Sequence, residues 1–368
     1  MALLNIAAFD VYRFSIRFIR PIKVGDAVLH DREGLIIALT DRKGRTGYGE
    51  VAPLAGLDQT SLEQCRGDLS GLRKTLDNAP FHSGQFRPTS TGLGMAAVPA
   101  GLSSHTLFGL ESAMLSLYLQ EHTTGLSDPV SVPVNGLFIP DPAGGQTDAQ
   151  IQTLKAGGMK TIKVKIGRLP ADQEIRQILQ LADAVGMDLI LRLDGNRSLS
   201  ASTYARYFSA LGHLNVEYAE EPLRDIASLP SANVPWPLAL DESLPRLLDP
   251  SHPDPAKLPS YLRTVILKPG LFAGLSGMAA FMADAKKQNI QTVWSSSFNT
   301  GVGLAMLGVF SRLAGLSSDT ACGFDTLRYL KSDVLTQSPT ISGGSLLIPR
   351  KLLSGMSLNF SVLSRENL

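Results

Sequence analysis

Thr161-Ile-Lys-Val-Lys-Ile-Gly167 carries two lysines two residues apart inside an apolar run. In a strand, side chains two apart share a face, so Lys163 and Lys165 project together while Ile162, Val164 and Ile166 project the other way. If the apolar face meets covering helices, as in a parallel α/β barrel, the lysines point into the barrel. Two ammonium groups placed there need carboxylates or a bound anion nearby. Burial among such groups is expected to bring a lysine pKa within range of proton transfer. Taken alone, the pair also fits an edge strand with one solvated face.

The surrounding sequence favours the barrel. Apolar runs recur at Val132-Pro-Val-Asn-Gly136, Leu189-Ile-Leu-Arg-Leu-Asp194, Val216-Glu-Tyr-Ala-Glu-Glu221, Leu238-Ala-Leu-Asp-Glu242, Val265-Ile-Leu-Lys268, Thr292-Val-Trp-Ser-Ser296 and Ala321-Cys-Gly-Phe-Asp325. With the lysine run they make eight strand candidates, one about every 20 to 30 residues, the length of a strand, a crossover helix and loops. A doubly wound open sheet shares that rhythm. Most of these runs, however, end in charged or polar residues, as expected where barrel strands open onto an active site.

Three successive runs deliver acids to that end. Arg192, Asp194 and Asn196 share one strand face; Glu220 and Glu221 end the next run, and Asp241 and Glu242 the one after. Strand alternation does not choose between the members of the last two pairs. Carboxylates gathered on one rim repel unless a cation sits among them, and an all-oxygen set suits Mg²⁺ better than zinc. Lys268, followed by Pro-Gly, would face the first lysines across the mouth as a second acid/base or a charge stabiliser. Ser295-Ser-Ser297 ends the seventh run just before a helical pattern, so hydroxyls and a helix start could form an anion cradle there; a polar strand end with a capping serine is the alternative.

The N-terminal part, to about residue 125, has different patterning. Strand-like runs at 10–20, 34–40 and 47–53 flank the turn signal Asp41-Arg-Lys-Gly44, which predicts an antiparallel meander. Helical patterns cover 60–76 and 103–118, and the Pro-, Gly- and Ser-rich stretch 78–101 reads as a surface loop. Beyond residue 327 the tail has a strand candidate at 341–348 and a short helical pattern near Lys351. It is expected to pack back on the N-terminal domain. Two domains are therefore expected, 1–125 and a barrel over 126–327, with the tail at 328–368.

Lys and Arg total 34 against 33 Asp and Glu, which gives no reason to expect nucleic acid or an anionic membrane as a partner. Cys65 and Cys322, the only cysteines, form neither a disulfide framework nor a zinc motif. No stretch approaches the roughly 20 apolar residues of a membrane span. A soluble, unprocessed cytoplasmic protein is expected, acting on a small-molecule carboxylate, with monomer and homo-oligomer both open.

These residues resemble the enolase superfamily, in its muconate-lactonizing subgroup, over nearly the whole chain. The resemblance rests on Lys163-Val-Lys165, Asp194 within Leu193-Asp-Gly-Asn-Arg197, Glu220 within Glu220-Glu-Pro222, Asp241 within Asp241-Glu-Ser243, and Lys268 within Leu267-Lys-Pro-Gly270. It implies an enolase-like (β/α)7β barrel of the TIM type under an N-terminal α+β capping domain. It also implies Asp194, Glu220 and Asp241 as ligands of Mg²⁺, or alternatively Mn²⁺, with Lys165 and Lys268 as catalytic residues. Within the subgroup, Leu191-Arg-Leu-Asp-Gly-Asn-Arg197, Gly47-Tyr-Gly-Glu-Val-Ala-Pro-Leu54, the serine run and Gly323-Phe-Asp-Thr326 are similar to the o-succinylbenzoate synthase family. Asn299-Thr-Gly301 departs from that family's usual continuation of the serines.

That family's reaction is a dehydration in menaquinone biosynthesis, through an enediolate whose charge the metal stabilises. Lys163, Arg192, Asn196, Ser295, Ser296 and Ser297 are then expected to bind substrate or support the ligands. The nearest rival is an N-succinylamino acid racemase or dipeptide epimerase using the same two lysines. A catalytically silent barrel would require the lysines or carboxylates to be missing, and all are present. The stretches 21–32 and 53–58 are expected to be loops closing over the site.

Overall fold

The computed structural model describes residues 2–78, 82–89, 92–94, 101–123, 125–224, 236–249, 253–270, 272 and 274–368. The N-terminal meander is present: β1 (Ala2–Val24), β2 (Ala27–Asp41) and β3 (Thr46–Val51) pair antiparallel in succession, with Gly44 at φ 80° in the last turn. The expected loop over 21–32 is instead the tip of the β1–β2 hairpin, Val24 pairing with Ala27.

Helices α1 (Leu62–Asn78) and α2 (Ser104–Leu119) follow. Between them, part of the expected loop over 78–101 forms strands β4 (His82–Thr89) and β5 (Gly92–Gly94), with β4 added to the edge of β1. Residues 79–81, 90–91 and 95–100 lie outside the described residues. Polar and Pro-rich composition hid a strand whose backbone pairing comes from β1 and β5.

Helix α2 is buried along nearly its whole length, and glycine makes that possible. A Cβ on Gly49 would stand 1.8 Å from the Gly109 carbonyl oxygen, and one on Gly47 would stand 2.2 Å from that of Ala113. The strand and helix backbones thus approach closely where Gly-Tyr-Gly occurs in the sequence.

After β6 (Val130–Pro133), seven parallel strands lie side by side in sequence order: β7 (Gly136–Phe138), β8 (Thr161–Lys165), β9 (Ile190–Asp194), β10 (Val216–Glu220), β11 (Leu238–Leu240), β12 (Thr264–Leu267) and β13 (Gln291–Trp294). The circle closes through residues 321–323: Cys322 bridges Val134 and Gly323 bridges Ser295, both parallel. The first expected run is divided. Residues 130–133 pair with the tail, and the barrel strand proper starts at Gly136.

Helices α3 (Thr147–Ala156), α4 (Ala171–Val185), α5 (Ala201–Leu211), α7 (Gly274–Lys287) and α8 (Gly301–Leu313) cover the outside, and α6 (Leu244–Leu247) is a single turn. The tail forms β14 (Thr340–Ser342), β15 (Ser345–Ile348), α9 (Arg350–Ser354) and β16 (Leu363–Arg365). β15 pairs with β6 and β16 with β1.

Strand alternation separates two cores. Outward-facing Ile162, Val164, Leu191, Leu193, Leu238, Leu240, Val265 and Leu267 join the main core beneath the helices. Inward-facing Tyr218, Ala239, Ile266 and Val293 form a separate small cluster, an apolar floor inside the barrel. Among the described residues no helix is long and apolar enough to cross a membrane.

Candidate active site

One step along the inward face from that floor, toward the strands' C-terminal ends, lie the polar residues. Lys163 and Lys165 follow on β8, Asp194 ends β9, Glu220 ends β10, Asp241 follows β11 and Lys268 follows β12. Asp194 Oδ2 accepts from both lysines, Lys163 Nζ at 2.8 Å and Lys165 Nζ at 2.6 Å. Lys163 also donates to Glu220 Oε1 at 2.7 Å, Lys165 to Asn196 Oδ1 at 2.7 Å, and Lys268 to Asp241 Oδ2 at 2.5 Å. Three ammonium groups thus face three carboxylates.

The structure also separates the paired acids that alternation left open. Glu220 turns into the barrel. Glu221, at φ 40°, instead accepts the Asp241 and Ser243 N–H groups at 2.9 and 2.8 Å and the Ser243 hydroxyl at 2.8 Å, fixing the end of β11. Asp241 meets Lys268, whereas Glu242 is reached by Asn196 Nδ2 at 3.5 Å.

Burial and neighbouring charge set the protonation of the cluster. Burial alone would raise Asp194, but Lys163 and Lys165 hold its carboxyl far below the usual range. Burial pushes Glu220 up to about 8; Asp194 and Asp241 add to the rise and Lys163 opposes it. The expectation that burial would depress the lysines is reversed for two of them. Burial pulls Lys163 and Lys268 down, yet the facing carboxylates outweigh it and both are raised.

The donor set fits a hard divalent cation. Asp194, Glu220 and Asp241 stand on adjacent strands, all their donors are oxygen, and Glu220 Oε2 and Asp241 Oδ1 are buried with no hydrogen-bond partner. Among the described residues no three acids already enclose one point; Lys163 and Lys165 are bonded to Asp194 Oδ2, Lys163 to Glu220 Oε1 and Lys268 to Asp241 Oδ2.

Other expected site residues fall elsewhere. Arg192 shares the inward face, but it is directed into the barrel floor, where it donates to Glu217 Oε2 at 2.7 Å, Asn135 Oδ1 at 3.1 Å and the Ala321 carbonyl at 2.7 Å, with Tyr218 under its guanidinium. The anion cradle at the serine run does not form as expected. The helix start is already occupied: Glu50 Oε2 accepts the Thr300 and Gly303 N–H groups at 2.9 and 3.1 Å, and Asp333 accepts that of Gly301 at 2.8 Å. Ser296 is engaged with Asn299 and Thr326, and the Ser297 N–H donates to Asn299 Oδ1. Ser295 alone of the three is partly exposed.

Sequence reasoning missed the residues that seat the capping domain here. Glu50 bonds Asn299 Nδ2 at 3.0 Å, and buried Arg32 donates to the carbonyls of Phe298, Glu33, Pro53 and Ala52. The available signal was an acid inside the apolar run after Gly-Tyr-Gly.

A closed parallel barrel with lysines and carboxylates at its C-terminal mouth defines an enolase-type enzyme. Residues 146–361 match the family described as enolase C-terminal domain-like, so the chain belongs to the enolase superfamily, in its muconate-lactonizing and o-succinylbenzoate synthase subgroup. Residues 6–99 match the MenC N-terminal domain. The chain is 28% identical over 335 residues to an o-succinylbenzoate synthase of Citrobacter koseri, covering 90% of this chain and 94% of that one. It is 25% identical to the chloroplastic protein PHYLLO of Arabidopsis thaliana, of which it spans only 20% while 83% of this chain is matched. A muconate lactonizing enzyme from Mucobacterium Smegmatis has the same fold, with TM-score 0.73 at 18% identity over 99% of this chain and all of that one.

Proposed function

We infer that the chain is a Mg²⁺-dependent o-succinylbenzoate synthase, converting 2-succinyl-6-hydroxy-2,4-cyclohexadiene-1-carboxylate to 2-succinylbenzoate and water. The observation that carries the reading is the row Asp194, Glu220 and Asp241 flanked by Lys165 on one side and Lys268 on the other. The MenC-type N-terminal domain and the similarity to o-succinylbenzoate synthases favour this substrate within the superfamily.

Asp194, Glu220 and Asp241 would hold the cation. Bound there, it supplies positive charge that binds a carboxylate and acidifies the adjacent carbon. Lys165 is the base. As an ammonium it is bonded to Asp194 and Asn196, so it must first release a proton; the neutral amine then takes the ring proton beside the carboxylate. Lys268 faces the charge that develops and stabilises it. Lys165 returns the proton to the departing hydroxyl on the same face, water leaves, and the ring becomes aromatic. Lys163, tied to both Asp194 and Glu220, bridges those two acids, keeps Asp194 ionised and opposes the rise in Glu220, and Asn196 orients Lys165.

Incubation with Mg²⁺ and each candidate substrate tests the assignment. Ultraviolet absorbance should report aromatisation. Deuterium exchange into an N-succinylamino acid without aromatisation would make the chain a racemase instead.

A further inference from the structure

The connection that carries Lys268 is gripped by the capping domain at two points. Gly270, two residues past the lysine, lies flat against the His105 ring: a Cβ there would stand 1.9 Å from His105 Cε1. His105 sits in the first turn of α2 and is 4% exposed. Its Nε2 stands 3.0 Å from Asp58 Oδ2, and the same carboxylate oxygen accepts the Leu54 N–H at 2.6 Å. Burial would raise Asp58, but the neighbouring imidazole, the Leu54 N–H and the Arg32 charge together keep it below the usual carboxylate range.

Farther along α2, Glu111 Oε2 accepts the Leu275 N–H at 2.5 Å and the Ser276 N–H at 3.2 Å, at the start of α7. Gly274, at φ +66°, leaves room for that carboxylate; a Cβ there would meet Glu111 Oε2 at 2.3 Å. His105 and Glu111 thus bracket the connection from Lys268 to α7, both from one helix of the other domain.

Burying an imidazole and two carboxyls where apolar residues would pack needs a reason beyond filling space. The reason lies at the other end of the connection, where Lys268 Nζ must meet Asp241 Oδ2 at 2.5 Å. An ammonium on a flexible stem keeps such a position only if the backbone beneath it is fixed, and a misplacement of about 1 Å can cost about 100-fold in rate.

We propose that His105, held by Asp58 and assisted by Glu111, is a positioning residue for Lys268, so that seating of the capping domain and of the 53–58 loop fixes the charge-stabilising lysine. Only the chemical meaning of Lys268 rests on the function proposed above.

The test combines crystal structures of the wild type and His105→Ala with turnover of His105→Ala, Lys268→Ala and the double variant. The expected result is that Lys268 Nζ leaves Asp241 in His105→Ala and kcat falls about 10- to 100-fold with KM within about twofold. The double variant should be no slower than Lys268→Ala, because His105 acts through the lysine. Lys268 still seated on Asp241, or an equal slowing by His105→Ala in both backgrounds, would overturn the proposal. If His105→Ala does not fold, Asp58→Asn asks the same question with the ring retained on Gly270, and the same displacement and kcat loss are required of it. A wild type that makes no aromatic product refutes the function alone, since the position of Lys268 in the variant still decides this inference.

Discussion

Lys165 Nζ lies 2.6 Å from Asp194 Oδ2, and Lys163 Nζ reaches the same oxygen at 2.8 Å. One buried carboxylate, 1% exposed, therefore carries two ammonium groups and, on the proposed function, one third of a metal site. Asp194→Asn removes that charge without changing shape. The Mg²⁺ dissociation constant, measured by titration calorimetry, should rise at least about tenfold, since the ligand charge count sets affinity. The variant should also melt lower, because two half-buried ammonium groups lose their shared counter-charge. An unchanged Mg²⁺ affinity would remove Asp194 from the ligand set.

The joint between the domains should respond to pH. Burial pushes Glu50 up to about 7 from an ordinary 4.5, even though Arg32 and its hydrogen bonds from Thr300 and Asn299 oppose the shift. The folded state then holds more protons than the unfolded state between those values, so stability from this group is full below about pH 4.5 and is lost as pH rises through about 7. The cost of ionising it in place is on the order of 3 kcal/mol. Glu50→Gln cannot ionise, so its melting temperature should gain on the wild type between pH 5 and pH 8. A constant difference across that range contradicts the buried, titrating Glu50.

Gly49→Ala probes the packing of α2. Its Cβ would press on the Gly109 carbonyl oxygen at 1.8 Å, a contact between two backbones in which neither side chain can give way. A loss of about 1 to 3 kcal/mol in urea unfolding is expected, the usual cost of overpacking. Gly67→Ala in α1, whose Cβ meets nothing within 4 Å, should be neutral or stabilising. Equal effects at the two positions would show that the close approach does not matter.

Much of the barrel was legible because strand alternation is local. That Lys163 and Lys165 share one face and Ile162 and Val164 the other follows from parity, and the barrel's covering helices turn the lysine face inward; the acids at the ends of β9 to β11 follow from the same rule. Parity could not choose Glu220 over Glu221; that needed the backbone to turn at Glu221, with φ 40°, sending its carboxylate to Ser243. The start of the first barrel strand was misread because 130–133 is also a strand, and its partner β15 lies over 200 residues away. Glu50 with Thr300, Arg32 with Phe298 and Asp58 with His105 were missed for the same reason: each contact joins distant segments, and no short-range periodicity marks it.

The most direct test of the central claim is the rate of 2-succinylbenzoate formation by metal-stripped protein, with and without added Mg²⁺, in the wild type and in Lys165→Ala. Turnover should appear only with Mg²⁺ and fall by about 100- to 10,000-fold in the variant, the range expected for loss of a general base. Metal-independent turnover, or a Lys165→Ala protein as fast as the wild type, would contradict the account.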